Sequence, residues 1–378
     1  MLWILDIMII KNIKLVNYRN YNSLNLDFND KINIIIGNNA QGKTNILESI
    51  YVLALTKSYD KAVDKNLIMF NEKFLKINGL VNINSYNKNF EILINESYKK
   101  VKINNNEISK MKDYISKINV ILFTPDDINI FKDSPGSRRR LLNIELSQIF
   151  SEYVDLYNKY NVILKQRNEY LKSNNINKLY LDIINEKFVD LAISIINYRL
   201  NYINEINNYI KDIFYDITNI NDLEIKYITN IEFNEDKEVM KDKFLSKLND
   251  NYEREKLYGN SLYGPHRDDF SFFLTNKDLS IYGSQGQLRC AMISYKLSEL
   301  EIFNKYKKEY PILLLDDVFS ELDLNKRNNI IKYLKDDIQT IITTTDIDMI
   351  DRQIVSKAKI ITIDNGKVIK QEGMVNNE

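Results

Sequence analysis

The sequence predicts an α/β fold whose sheet is interrupted by a mainly helical insertion, and three observations carry that prediction. An apolar run, Ile32 to Ile36, feeds a glycine-bounded loop and then a helical pattern. A second apolar run, Ile312 to Leu315, ends in the paired carboxylates Asp316 and Asp317. Between them, from about Arg138 to Ile217, the apolar spacing changes from strand-like alternation to steps of three and four.

Each element follows in order. Ile13 to Val16, Leu24 to Phe28 and Ile32 to Ile36 read as strands. Thr44 to Leu55 reads as a helix with Ile46, Leu47, Ile50, Leu53 and Ala54 on one face. Residues 74–104 alternate as antiparallel strands do, and Val120 to Phe123 is a short apolar strand. Leu191, Ile195, Tyr198, Tyr202, Ile206, Tyr209 and Ile213 form the stripe of a long helix, read as a packing seam. After about residue 258 the β/α character returns. The expected organisation is therefore a head in two parts, residues 1–125 and 258–378, with a helical lobe at 126–257.

Composition excludes several classes. Lys plus Arg and Asp plus Glu each total 52, so there is no global attraction to nucleic acid, and any such contact needs a local patch. The single cysteine, Cys290, excludes a disulfide framework and cysteine metal sites. The single histidine, His266, leaves little for histidine metal ligation or a Ser-His-Asp triad. The N-terminal run MLWILDIMII is short and broken by Asp6, which fits neither a membrane helix nor a signal peptide. It reads as a buried strand of a cytoplasmic protein. Met8 is an alternative start, because the strand pattern begins there. Gly and Pro number only 10 and 4, so their clusters carry information.

The densest cluster is Gly37-Asn38-Asn39-Ala40-Gln41-Gly42-Lys43-Thr44, which fits G-x-x-x-x-G-K-[ST]. Backbone N–H groups of such a loop converge on phosphates, and side chains there would obstruct them. Lys43 reaches the β- and γ-phosphates, Thr44 offers its hydroxyl to Mg²⁺, and the helix N-terminus through Asn45 adds partial positive charge. Asp316, ending a buried strand, is placed to hold Mg²⁺ of an ATP complex, and Asp317 to polarise the attacking water. The turn Tyr282 to Arg289, with Ser284, Gly286 and Gln287, opens another helix and is a second potential anion-binding terminus.

The order decides the class. Phosphate loop, Ser-x-Gly-Gln turn, acid-pair strand and Ser320-Glu321-Leu322-Asp323 succeed one another as in ABC-type P-loop ATPases, so the fold class is an ABC-type ATPase head with an inserted, mainly helical second lobe. Thr343, Thr344 and Thr345 occupy the place of the switch residue, which is histidine in many such proteins. Lys43 and Asp316 lie 273 positions apart, too far for an uninterrupted core and too close for a long coiled-coil arm.

Specific blocks resemble one family, the RecF recombination and repair proteins of bacteria. They are Asn17 to Tyr21, Asn38 to Tyr51, Lys57-Ser58, Phe123 to Asp127, Gly136 to Arg139, Gln166 to Asn168, Tyr263 to Asp269 (YGPHRDD), GSQGQ and LLLDDVFSELD. The resemblance runs from Met8 over nearly the whole chain. It implies an ATP-driven homodimer in which each head completes the other's site, with Ser284, Gly286 and Gln287 facing the partner's ATP. It implies binding to double-stranded, gapped or junction DNA, and work with RecR and RecO in loading RecA. Gap repair, replication restart and SOS induction follow from that role. It implies Lys43 and Asp317 as catalytic residues of a weak ATPase. Two departures stand out: Tyr59-Asp60 replace the usual His-Arg, with Lys61 as a substitute cation, and residues 1–7 extend beyond the usual start.

Other classes share some of these features. A transporter ATPase needs a membrane partner and lacks the helical insert, and an OLD-type nuclease needs a nuclease domain for which no length remains. An SMC-like structural adaptor that binds ATP with negligible turnover is the rival reading, separated by measured hydrolysis. Arg138-Arg139-Arg140 and Lys99, Lys100 and Lys102 are candidate DNA phosphate contacts, each with an ordinary solvated-charge alternative. For YGPHRDD the sequence supplies only a Gly-Pro turn before a strand.

Overall fold

The structure is a computed structural model that describes residues 8–373 apart from Lys61 and Asn174. The Met1 extension and the substitute cation Lys61 lie outside the described residues. The chain forms two compact units: residues up to Ile128, Asp212–Ile220 and from Gln285 onward make one, and Asn129–Lys211 with Asn221–Ser284 make the other.

The first unit holds two six-stranded sheets. In the antiparallel sheet, Ile9–Tyr18 lies between Tyr21–Asp27 and Phe74–Ile83, and Tyr86–Asn95 and Lys99–Ile103 continue the order. Alternation puts Leu75, Ile77 and Val81 inward beside Phe90, Ile92 and Ile94. In the second sheet, Lys359–Asp364, Ile32–Ile36, Thr340–Thr344, Ile312–Asp316 and Val120–Phe123 run parallel in that order, with Lys367–Glu372 antiparallel at one edge. Its central strands are buried along nearly their whole length, as coverage of both faces requires, with threonines and Asn33 among the apolar residues. Asn33 is tolerated inside because its amide closes the preceding turn, exchanging hydrogen bonds with the Asn29 backbone. Buried Gln339 ties the sheets together by pairing with both the N–H and the carbonyl of Ile10.

Helix Lys43–Leu55 packs against strands of both sheets. Eleven of its thirteen residues are buried, including Glu48 and Ser49. The one-sided stripe expected from sequence is thus widened to a helix buried nearly all round, because it is covered on both sides.

The second unit is mainly helical, with helices Pro135–Ile149, Ser151–Leu171 and the 41-residue Lys178–Thr218, whose last turns belong to the first unit. The seam on this long helix is wider than the expected stripe. Ile196, Ile203, Ile210 and Ile217, at steps of seven, are also buried. The unit includes a three-stranded sheet in which Asp269–Leu274 pairs with Leu223–Ile228 and Lys277–Asp278. The division expected at residue 258 and the one between Ser284 and Gln285 differ by this sheet: Asp269–Leu274 finds its partner strand within the helical unit.

The blocks that lacked a physical account in the sequence form this unit's buried polar network. Arg167 is 1 % exposed and donates to Asn185 (2.7 Å), Ser261 Oγ (2.7 Å) and Glu255 (2.6 Å). Asn168 accepts from the N–H and hydroxyl of Ser261. Buried Arg199 donates to the Pro265 carbonyl at 2.6 Å and to Asn143. Arg138 forks onto Asp269 at 2.6 and 2.7 Å, and Arg139 donates to the Asp268 carbonyl. His266 faces the Ser261 carbonyl at 3.0 Å through Nε2 and the Tyr160 hydroxyl at 2.6 Å through Nδ1. A carbonyl only accepts, so Nε2 carries the proton and Nδ1 accepts from Tyr160. Burial pushes this imidazole down to about 4, with nearby arginines adding to the shift and the Ser261 contact opposing it.

Two of the candidate DNA patches are engaged within the chain. Arg138 and Arg139 serve the network just described. Lys99 pairs with Asp64 at 2.6 Å, Lys100 with Glu107 at 3.7 Å and Lys102 with Glu91 at 3.4 Å.

Candidate nucleotide-binding site

Strand Ile32–Ile36 delivers the loop Gly37 to Gly42 to the N-terminus of helix Lys43–Leu55. The glycines bounding it have separate reasons. A side chain at Gly37 would run into the Ile363 carbonyl oxygen. Gly42 has φ 107°, and a Cβ there would meet Asn20 Nδ2 at 2.6 Å and the Tyr21 hydroxyl at 2.7 Å. Ala40 also lies in the left-handed region, at φ 63°. Such alternation turns successive N–H groups toward one side.

Neighbouring segments brace the loop. Tyr21 donates to the Gly42 carbonyl at 3.1 Å, and Asn20 bridges the Gln41 carbonyl and Asn45. Gln41 itself is turned away, held by the backbone of Asn365 and Gly366. On the helix, buried Glu48 accepts from Arg19 at 2.6 and 2.8 Å, Tyr18 at 2.9 Å and Ser58 at 2.7 Å. Asp60, where the usual Arg is replaced, joins the same cluster through Ser58 and Arg19. Tyr59 packs edge-on against Tyr51.

Lys43 donates to the carbonyls of Gly37 (2.7 Å) and Asn38 (2.9 Å), which folds its ammonium back over the loop. Burial lowers its pKa, while the charges of Asp317 and Asp316 oppose that shift. The cleft in front has a volume of ≈ 230 Å³ and is lined by Asn39, Ala40, Gly42, Lys43, Thr44, Asn45, Pro125, Asp316 and Asp317.

The acid pair arrives by strand order. Strand Thr340–Thr344 lies between the loop strand and Ile312–Asp316, and pairs Thr343 with Asp316. Asp316 Oδ1 accepts from Thr343 at 2.6 Å and from Thr44 at 3.0 Å. Burial and repulsion by Asp317 raise its pKa, and the two hydroxyls oppose the rise. Thr343 Oγ1 also accepts the Asp317 N–H at 3.1 Å, so one hydroxyl spans both acids. Asp317 has φ 48° and ψ 29°, a left-handed conformation uncommon outside glycine. Its Oδ1 is buried with no hydrogen-bond partner among the described residues.

The structure therefore gathers Asn39, Ala40, Gly42, Lys43, Thr44, Asn45, Asp316 and Asp317 around one cleft, with Gly37, Asn38 and Gln41 shaping the loop behind them. Ser284, Gly286 and Gln287 do not line it. Two contributors escaped the sequence reading. Pro125 lines the cleft, and its signal was scarcity, as one of four prolines. Thr343, one of three threonines at the switch position, also donates its hydroxyl to Asp316, a contact that the sequence alone does not announce. Thr344 instead accepts from the Asp346 N–H and donates to its carbonyl.

Residues 9–369 match the family model described as the RecF/RecN/SMC N-terminal domain. The DNA replication and repair protein RecF of Staphylococcus aureus is 41% identical over 368 residues, covering 96% of this chain and all of that one. A solved structure of the recombination mediator protein RecF with ATP in the RecFOR pathway superposes with a TM-score of 0.90 at 31% identity, covering 99% of this chain and 100% of that one. A second, RecF-ATPrS in the same pathway, gives 0.87 at 32% identity, covering 96% and 98%. The chain belongs to the RecF family.

Proposed function

We propose that the chain is an ATP-dependent DNA-binding protein of replication and recombinational repair, in which ATP bound at the Lys43 cleft joins two heads into a DNA-holding dimer. The cleft carries this reading: a phosphate loop, its lysine and a strand-end acid pair converge within hydrogen-bond reach, and similar proteins are described with ATP. Lys43 withdraws from the Gly37 and Asn38 carbonyls to the β- and γ-phosphates, whose charge offsets the burial of its ammonium. The loop N–H groups and helix N-terminus hold the remaining oxygens. Asp317 is the residue placed to orient and deprotonate the attacking water. As an aspartate it reaches one methylene less far than a glutamate, so turnover is slow.

Thr44 Oγ1 and Asp316 Oδ1, 3.0 Å apart, form a hard oxygen set that fits Mg²⁺, and Asp317, with a buried oxygen unpartnered among the described residues, lines the same cleft. No cage of three or more His, Cys, Asp or Glu exists among the described residues, and Mg²⁺ shared with phosphates needs none. When bound, Mg²⁺ neutralises charge on the β- and γ-phosphates.

The dimer is supported by Gly286. A Cβ there would meet no described atom within 4 Å, and its backbone is not in the left-handed region. Its lack of a side chain has no explanation within the chain, and close approach of a partner's nucleotide supplies one. Ser284, Gly286 and Gln287 would then cap the γ-phosphate at the partner's Lys43 cleft, twice per two-fold dimer. With net charge zero, alignment of two heads on one duplex, each binding weakly, provides the DNA affinity. RecR and RecO are the expected partners, and gapped duplex the expected substrate. The test is Ser284→Arg, which fills the γ-phosphate position. ATP should still bind, while ATP-induced dimers vanish in sedimentation and binding to duplex and gapped DNA weakens. A variant that dimerises normally with ATP removes the cross-subunit role.

A further inference from the structure

A second, smaller cavity adjoins the cleft. It measures ≈ 30 Å³, and its lining includes Phe123, Thr124, Asp127, Arg289, Met292 and Asp317. Pro125 and Asp317 line both spaces, so Asp317 stands in the wall between them. The volume is enough to hold a water molecule. Arg289 is the one cationic side chain in this lining.

Two features of Asp317 show that its present arrangement needs external support. Its backbone is left-handed without being glycine, and a buried carboxylate oxygen lacks a donor among the described residues. Arg289 sits on helix Gln285–Lys307, three residues beyond Gly286 and therefore on the same helical face. That helix is 23 residues long and mostly buried, so its first turn and Arg289 move together. The guanidinium carries five donors in a fixed fork, suited to a carboxylate directly or through one water.

We propose that Arg289 is a positioning residue that orients Asp317 of its own chain across this cavity, so that ATP held at the signature turn of one head sets the carboxylate acting on that head's own ATP. The inference rests on the dimer reading of Ser284 to Gln287 given above. In a two-fold dimer the coupling runs both ways, and it makes hydrolysis positively cooperative in ATP. Misplacing a catalytic group by ~1 Å costs on the order of 100-fold in rate.

The experiment uses the full chain with Arg289→Ala, Arg289→Lys, Asp317→Asn and the Arg289→Ala/Asp317→Asn double variant. ATP affinity is read by calorimetry, dimerisation by sedimentation, and hydrolysis by single-turnover quench and steady-state titration. Arg289→Ala should keep ATP affinity and the ATP-induced dimer within about twofold, lose about 10- to 100-fold in kcat, and lower the Hill coefficient below the wild-type value. Arg289→Lys should fall between, retaining charge without the fork. The double variant should be no slower than Asp317→Asn alone. Wild-type kcat and Hill coefficient in either Arg289 variant overturn the proposal, as does an Arg289→Ala protein that binds ATP but no longer dimerises, since that marks an interface residue. If the wild-type chain itself forms no dimer with ATP, the underlying reading fails and this inference with it. Absence of any wild-type hydrolysis overturns the inference together with the catalytic role of Asp317, and leaves the ATP-joined DNA-binding dimer standing.

Discussion

Thr343→Val is the most informative single change at the site. Valine matches threonine in shape, so no cavity opens, and only the hydroxyl is lost. That hydroxyl donates to Asp316 at 2.6 Å and accepts the Asp317 N–H at 3.1 Å. A hydrogen bond to an ionised group contributes ~1.5–3 kcal/mol, and a neutral one ~1 kcal/mol. Part is recovered, because Thr44 still donates to Asp316 and the Asp317 N–H retains the Thr343 carbonyl at 3.2 Å. The expected net loss is ~1.5–3 kcal/mol, or ~10- to 150-fold in an equilibrium that requires ionised Asp316. Mg²⁺ titrations of ATP hydrolysis should shift by that factor, with metal-free ATP binding through the loop amides nearly unchanged. The sign with pH is diagnostic. The Asp316 pKa is already raised in the folded protein, so ionising it costs stability as pH rises. Removing a donor raises it further, and the stability deficit of Thr343→Val should grow as pH rises through the folded-state titration of Asp316. Thr343→Ser keeps the donor and should behave as wild type. An unshifted Mg²⁺ midpoint, or a deficit independent of pH, would mean that Thr343 serves packing alone.

Two further outcomes follow from the same geometry. Lys43→Ala should weaken ATP binding by at least ~10-fold in isothermal titration, since it removes a charge-assisted donor of ~1.5–3 kcal/mol; unchanged affinity would remove the phosphate-loop assignment. His266→Gln should change the acid limb of stability: the folded imidazole titrates near 4 against an ordinary 6.5, so the unfolded chain takes up the proton first as pH falls. Wild type should lose about 3 kcal/mol relative to the variant between pH 6.5 and 4, measured by denaturant unfolding, and equal slopes would contradict a half-buried, neutral His266.

The parts of the site that were legible in the sequence are those fixed by local spacing. Gly37 to Thr44 is one strand end, one loop and one helix start, and eight consecutive residues encode it. Asp316 and Asp317 are legible for the same reason, as the end of an apolar run. The contact between Thr343 and Asp316 was not, because it depends on which strand lies beside which. Strand Thr340–Thr344 is inserted between the loop strand and the acid strand, and nothing local to Thr343 announces that order. Buried arginines pose the same problem. Arg167 and Arg199 are as polar in sequence as any surface arginine, and only the convergence of Glu255, Ser261, Asn185, Asn143 and Pro265 accounts for their burial. The helix Lys43–Leu55 shows the converse. Its apolar stripe was legible, but burial of the remaining faces comes from a second sheet formed by residues far along the chain.

Placing threonine beside the acid strand has a consequence for how the site changes with ligand. Asp316 Oδ1 has two donors in this structure, Thr44 and Thr343, which differ in what else they must do. Thr44 begins the helix at the phosphate loop, and its oxygen is a cation ligand in the proposed complex, so its bond to Asp316 competes with that role. Thr343 sits inside the sheet, 1 % exposed, with its oxygen already accepting the Asp317 N–H. It therefore remains on Asp316 in either state, and Thr44 is the partner that exchanges. The fixed partner also ties the positions of the two acids together through one oxygen. A displacement of Asp317 transmitted from Arg289 would then reach Asp316 through Thr343, and the cation ligand with it. Threonine does not titrate in the working range of pH, so Thr343 adds no protonation switch of its own to the link, which a histidine at the same place would.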